Sequence, residues 1–137
     1  MTLQFLTLVM WFSSFHNLES ASRFDLLCHN WTLIGTSNGG KFFRNNMHGK
    51  LVLSKDLTFQ KEEEVYGIYV YQGSWNFNAD STSINFRTTQ FTATEKKNQR
   101  NEVVENKIVK LSNDSLILHQ EEGANQQQCD IYYIREK

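Results

Sequence analysis

Residues 68–77 read IYVYQGSWNF, a strictly alternating run. Tyr69, Tyr71, Trp75 and Phe77 fall on one face, with Gly73 between them, and Ile68, Val70, Gln72, Ser74 and Asn76 fall on the other. A period of two over this length does not fit a helix, whose faces repeat about every 3.6 residues. It specifies a half-buried antiparallel strand. The parity also says which face is inside. A slip of one residue would turn the rings to water and bury Gln72, Ser74 and Asn76, leaving polar groups unpaired for little apolar gain. The pattern therefore predicts that Tyr69, Tyr71, Trp75 and Phe77 point inward together, with Phe59 and Phe86 from neighbouring strands on the same side.

The same reading extends along the chain. The turn formers NADS at 78–81 precede Ile84 and Phe86, which alternate with Asn85 and Arg87, so a hairpin is expected there. In KLVLSKDLTFQK, Leu51 and Leu53 are expected to pair with Leu57 and Phe59 across a turn at Ser54-Lys55-Asp56. In KIVKLSNDSLILHQ, strands at Ile108–Leu111 and Leu116–His119 flank a turn at Ser112-Asn113-Asp114. NWTLIG, from Asn30 to Gly35, reads as the first strand after a helical turn at Asp25–His29, and CDIYYIRE as the last. TEKKNQRN, with Lys96, Lys97 and Arg100, has no apolar period and reads as a solvated, mobile loop, and Glu62-Glu63-Glu64 as a solvated strand end or loop. Sequential hairpins without a long crossover predict an all-β fold, an antiparallel up-and-down β-barrel of about eight strands, with Trp31 and Trp75 in its core.

At 137 residues the chain has room for one domain. Its 14 Lys+Arg against 15 Asp+Glu give a net charge of -1, which argues against a nucleic-acid binder or a polybasic membrane-surface protein. The first 22 residues differ from the rest. Leu3–Phe12, LQFLTLVMWF, is uncharged and mostly apolar, and Ser20-Ala21-Ser22 supplies small residues for a cut before Arg23. This is the pattern of a signal peptide over 1–22, although no Lys or Arg precedes Arg23, and it leaves a domain over 23–137 in a secreted or periplasmic protein. The apolar run is too short for a transmembrane segment, which needs about 20 residues. Neither Cys28 nor Cys129 lies in a C-x-x-C pair. Leu27 before Cys28 argues against a lipid anchor, since that site needs a small residue. Two readings remain for the pair: a Cys28–Cys129 disulfide in an exported protein, or two buried free thiols.

Four elements occur in order: LLCHNWTL, in which a Trp opens the first strand after a short helical turn; a hairpin of the type L-x-L-S-x-D-L-T-F; G-S-W-N-F with a polar turn; and IVKLSNDSLIL. This order resembles the small lipocalin-like domains of exported bacterial proteins of Bacteroidetes type, over about residues 26–135. The chain departs from that family at His29 and Asn30, where a Gly usually precedes the first-strand Trp, and in lacking the lipoprotein Cys that many members carry. The resemblance implies a barrel and an apolar ligand, and no reaction.

The four histidines, His16, His29, His48 and His119, have no metal-ligand spacing, and no nucleophile elbow or phosphate-binding Gly loop occurs. The chain is therefore expected to be no enzyme and to carry no cofactor or metal, with His119 on a solvent-facing strand position. Two functions follow for such a barrel. In one, a small hydrophobic ligand sits in the interior against Tyr69, Tyr71, Trp75, Phe77, Phe59 and Phe86, with Tyr71 and Trp75 in contact with it. In the other, the core is filled and the domain binds a partner protein through loops, a sheet edge or an apolar patch around Ile68 and Val70. Sequencing of the exported protein is expected to find Arg23 at its N-terminus; a chain still beginning at Met1 in the cytoplasmic fraction would contradict the assignment of 1–22.

Overall fold

The computed structural model describes residues 23–44, 48–64, 66–121 and 128–137, so the expected signal peptide over 1–22 lies outside the described residues. A helical turn over 23–27 leads into nine strands among the described residues. These are β1 (Asn30–Asn38), β2 (Lys41–Arg44), β3 (Gly49–Leu53), β4 (Thr58–Glu64), β5 (Ile68–Phe77), β6 (Ser83–Ala93), β7 (Lys96–Leu111), β8 (Ser115–Gln120) and β9 (Cys129–Arg135). From β3 to β9 each strand pairs antiparallel with the next, and β1 pairs with β9, which closes the ring. Along its other edge β1 pairs with β3 through Asn30–Thr32 and with β2 through Gly35–Asn38. Eight strands thus form a closed antiparallel barrel, as expected, and β2 is an extra strand on its flank.

The turns are built by residues suited to them. Gly39 and Gly40, both at positive φ (59° and 81°), make the two-residue turn between β1 and β2. Asp56 Oδ1 accepts from the Thr58 amide at 3.0 Å and from its hydroxyl at 2.6 Å. Asn78 Oδ1 accepts from the amides of Thr82 and Ser83 at 2.9 and 3.0 Å, so the carboxamide holds the NADS turn together. Leu57 departs from expectation. It lies at φ 68° in the turn and is exposed, and Leu53 pairs with Phe59 instead.

One end of the barrel is plugged. Leu27, Trp31, Leu53, Trp75, Ile84 and Leu116 are all at most 2% exposed. The indole of Trp31 donates to the Leu27 carbonyl at 3.0 Å, which ties the helical turn beneath the barrel. The indole of Trp75 donates to the Ser54 carbonyl at 3.1 Å, and its ring stacks on Phe24 at 5.5 Å. Each Trp therefore buries a large ring without leaving its N–H unpaired. On β5, a Cβ at Gly73 would lie 1.8 Å from the Arg87 carbonyl oxygen, so β6 crosses β5 there at a distance only glycine permits. The pairing slips at this point, Gln72 facing Gln90 and Gly73 facing Thr88, which leaves Thr89 as an extra residue on β6.

One expectation is corrected, and one of two open readings is decided. Residues 96–101 are no loop: Lys96 opens β7, which pairs with β6 from Ala93↔Lys96 to Ser83↔Lys107. Its first half has no apolar period because one face meets solvent and the other carries Arg100 and Glu102. The Cys28–Cys129 disulfide does not form, and both cysteines are free thiols. The first and last strands do lie side by side, but antiparallel, with Trp31 beside Arg135 and Ser37 beside Asp130. Cys28 precedes one end of β1 and Cys129 sits beyond the other, separated by more than roughly 20 Å of strand, whereas a disulfide needs Cα atoms within about 7 Å.

Truncating the plug should be costly. Trp75→Ala is expected to destabilise the fold by ~3–5 kcal/mol, read from urea unfolding, and Gly73→Ala to destabilise it through the clash with Arg87. An unchanged midpoint for Trp75→Ala would contradict the register of β5.

Candidate functional site

Beyond the plug the interior is not filled by side chains. A cavity of about 420 Å³ lies inside the barrel, lined from β3 to β9. Parity places its wall. On β4, Phe59, Lys61 and Glu63 share one face, so the alternation that buries Phe59 carries a lysine and a glutamate inside with it. On β7 the same holds for Arg100, Glu102, Val104 and Asn106. Leu51, Phe86, Leu118 and Ile131 supply apolar wall, and Tyr71, Thr88, Gln120 and Tyr133 add polar groups. The charged residues lie toward the end away from the helical turn, near Gln120, which pairs with Cys129 at that end of β8 and β9.

The charges are paired within the wall. Lys61 Nζ lies 3.0 Å from Glu63 Oε1 and 5.5 Å from the centre of the Tyr71 ring. Burial works against the Lys61 ammonium. The Tyr133 phenol, the Glu63 carboxylate with its hydrogen bond, and Tyr71 more than offset this and hold the group above the usual lysine range. Arg100 Nη1 lies 3.6 Å from Glu102 Oε2, and its guanidinium sits over the Phe91 ring at 4.5 Å. Burial pushes the phenols of Tyr133 and Tyr71 above the ordinary tyrosine range. Asn106 is 8% exposed, and its Oδ1 has no hydrogen-bond partner among the described residues.

The six aromatic residues expected at a ligand site divide into groups. Phe59, Tyr71 and Phe86 line the cavity. Trp75 and Phe77 pack together at 5.7 Å in or against the core and do not reach it, so Trp75 is a plug residue rather than a contact for a molecule in the cavity. Tyr69 stacks on Phe91 at 6.1 Å and also lies outside the cavity wall. Lys61, Glu63, Arg100, Glu102, Asn106 and Thr88 were not among the expected site residues. For Lys61 and Glu63 the signal was present, since both are in phase with Phe59. Glu62–Glu64 accordingly belong to β4, not to a loop, and Glu63 faces the cavity.

The outer face holds a second polar group. His119 Nδ1 lies 2.6 Å from Asp130 Oδ1, its cross-strand neighbour, with Glu121 Oε1 at 3.4 Å from Nε2. His119 is thus held by carboxylates on the outside of the barrel. Ile68 is half exposed, as the outer-patch reading expected, while Val70 is partly buried. No helix of the described residues is long and apolar enough to cross a membrane.

The fold and its interior define a closed eight-stranded up-and-down β-barrel, plugged at one end and enclosing a polar-edged cavity. Comparison with protein-family models, curated proteins and solved structures finds no match to this chain.

The buried phenols make a pH prediction. A tyrosine whose folded pKa is raised contributes stability that is fully present below its unfolded value, about 10, and is lost as pH rises through the folded value. Lys61 has the same sign. The urea midpoint is therefore expected to fall above about pH 10, and Tyr133→Phe to make that fall shallower. An alkaline limb unchanged by Tyr133→Phe would contradict the buried position of this phenol.

Proposed function

We propose that the chain is an exported, non-catalytic domain of lipocalin-like type that holds one small molecule inside its barrel. The cavity carries this reading. Its volume of about 420 Å³ falls within the range of small-molecule sites, roughly 300–1,000 Å³. Its wall is more polar than that of most such sites, which are lined mainly by apolar side chains: nine of its fifteen residues carry polar or charged groups and six are apolar. The lining revises the expected ligand from wholly apolar to amphipathic, because Lys61, Glu63, Arg100, Glu102 and Asn106 surround the space together with Phe59, Phe86, Leu118 and Ile131. A purely apolar molecule would strip water from these polar groups and return nothing to them. The partner-protein reading required a filled core, and it loses support where the interior is open. Export rests on the composition of 1–22.

Native mass spectrometry of the protein purified from its own host is expected to show the chain with one small molecule bound, released on denaturation. A bare chain, with no uptake of an environment-sensitive dye such as anilinonaphthalene sulfonate, would contradict the reading. Indole emission is a poor reporter here, since Trp31 and Trp75 stand in the plug.

A further inference from the structure

We infer that the Lys61–Glu63 pair receives a neutral head group with several hydroxyls, so that the ligand is a glycerol- or sugar-headed amphiphile rather than a fatty acid or an organic cation. This rests on the small-molecule reading and names the class of ligand.

The position of the pair is the first observation. Besides the main cavity, Lys61 and Glu63 line a second space of about 210 Å³, bounded also by Leu33, Thr36, His48 and Cys129. It lies beside the stretch of β1 that has left β3: the two strands pair only through Asn30–Thr32, and β1 pairs with β2 from Gly35 onward. The pair thus stands where the two spaces adjoin. The Lys61 and Glu63 side chains keep 30% and 33% of their surface accessible, whereas Phe59 on the same face of β4 is 5% exposed. Both charged groups are therefore open to a molecule held between the walls. An ammonium carries three donors and a carboxylate about four acceptor sites, and their 3.0 Å contact occupies one of each. A donor is left beside an acceptor. A hydroxyl donates and accepts at once, so adjacent hydroxyls can answer both groups with charge-assisted hydrogen bonds, the stronger kind.

The second observation is the charge balance of the wall. Lys61 and Arg100 are the cations of the main cavity, and each has its own carboxylate, Glu63 at 3.0 Å and Glu102 at 3.6 Å. A ligand carboxylate would meet Glu63 and Glu102 as well as the cations, and would give up its hydration for partners already engaged. A ligand ammonium meets the same obstacle from Lys61 and Arg100. A zwitterion would answer both signs, but it gives up the hydration of two charges. A hydroxyl loses far less hydration than any charged group. Phe59, Phe86, Leu118 and Ile131 offer the apolar wall for a short alkyl chain beside the head group.

Titration calorimetry with octylglycerol, octanoate, octylamine and octylbetaine tests this at neutral pH. The four carry nearly the same chain, with a neutral diol, an anionic, a cationic and a zwitterionic head. Octylglycerol is expected to bind most tightly, by about tenfold, the worth of one net hydrogen bond to a charged group. Glu63→Gln leaves Lys61 without its carboxylate, and octanoate is expected to overtake octylglycerol. Lys61→Gln leaves Glu63 without its ammonium, and octylamine is expected to overtake it instead. Tighter binding of any charged probe by the unaltered protein, or equal binding of all four, would overturn the inference. The same rank order in both variants as in the unaltered protein would overturn it too, since the head group would then lie elsewhere. Binding of none of the four while the dye is taken up also overturns it. Each of these results leaves the small-molecule reading standing. If none of the four binds and the dye is not taken up, the small-molecule reading itself falls. The ranking in the unaltered protein decides the matter even if neither variant folds.

Discussion

Trp75 holds the barrel in register. Its indole is buried against Phe24, Phe77 and the other residues of the plug, and its N–H is tied to the Ser54 carbonyl in the turn between β3 and β4. Because strand parity is binary, fixing this ring inside also fixes Gly73, Tyr71 and Tyr69 on the inner side of β5. The pairing then carries the constraint sideways. Trp75 faces Phe86, Gly73 faces Phe59, and Tyr71 faces Lys61, so one anchored ring decides that the cavity wall contains both an aromatic cluster and a lysine. Gly73 is needed for the same reason. The extra residue on β6 brings the Arg87 carbonyl onto β5, and no side chain fits between them.

The interior is thus divided along its length. Near the helical turn, large rings and leucines pack with no room left, and their burial supplies the apolar stabilisation that a barrel of this size needs. Farther along the same strands, the inward positions are taken by Lys61, Glu63, Arg100, Glu102 and Gln120, which cannot pack as a dry core. Lys61 pairs with Glu63 and Arg100 with Glu102, and space is left between the walls. A fold selected only for stability would continue the apolar pattern of the plug. The change from rings to paired charges along one face of β4 and β7 is what makes the cavity a candidate site.

Much of the fold was legible because most strands bury one face and show it. The alternation in β5, the leucines of β3 and β8 and the turn residues at 54–56, 78–81 and 112–114 were enough for an up-and-down barrel. Trp31 and Trp75 could be placed in the core for the same reason. The first half of β7 could not be read, since its inner face is charged and its outer face is exposed, and hydrophobic periodicity has nothing to report in such a strand. The candidate site was half legible. Phe59, Tyr71 and Phe86 follow from parity alone, whereas apolar patterning gives no weight to Lys61, Glu63 or Asn106 at positions where the interior stops being apolar. The cysteines show a different limit. Their places near the two ends of the domain led correctly to neighbouring strands, but only the direction of pairing, β1 antiparallel to β9, reveals that they lie at opposite ends of the barrel.

One inward face is dry at the plug and open beyond it. Methyl-resolved NMR of the unliganded protein tests it directly, through nuclear Overhauser transfer from water to buried methyl groups, because a polar-edged cavity of this size admits water and a packed apolar core does not. The methyls of Val104 and Ile131, which line the cavity and keep some accessible surface, are expected to receive transfer from water, while those of Leu27, Ile84 and Leu116 remain silent. Silence at both sets would mean that side chains fill the barrel, and the account of a ligand cavity would be wrong.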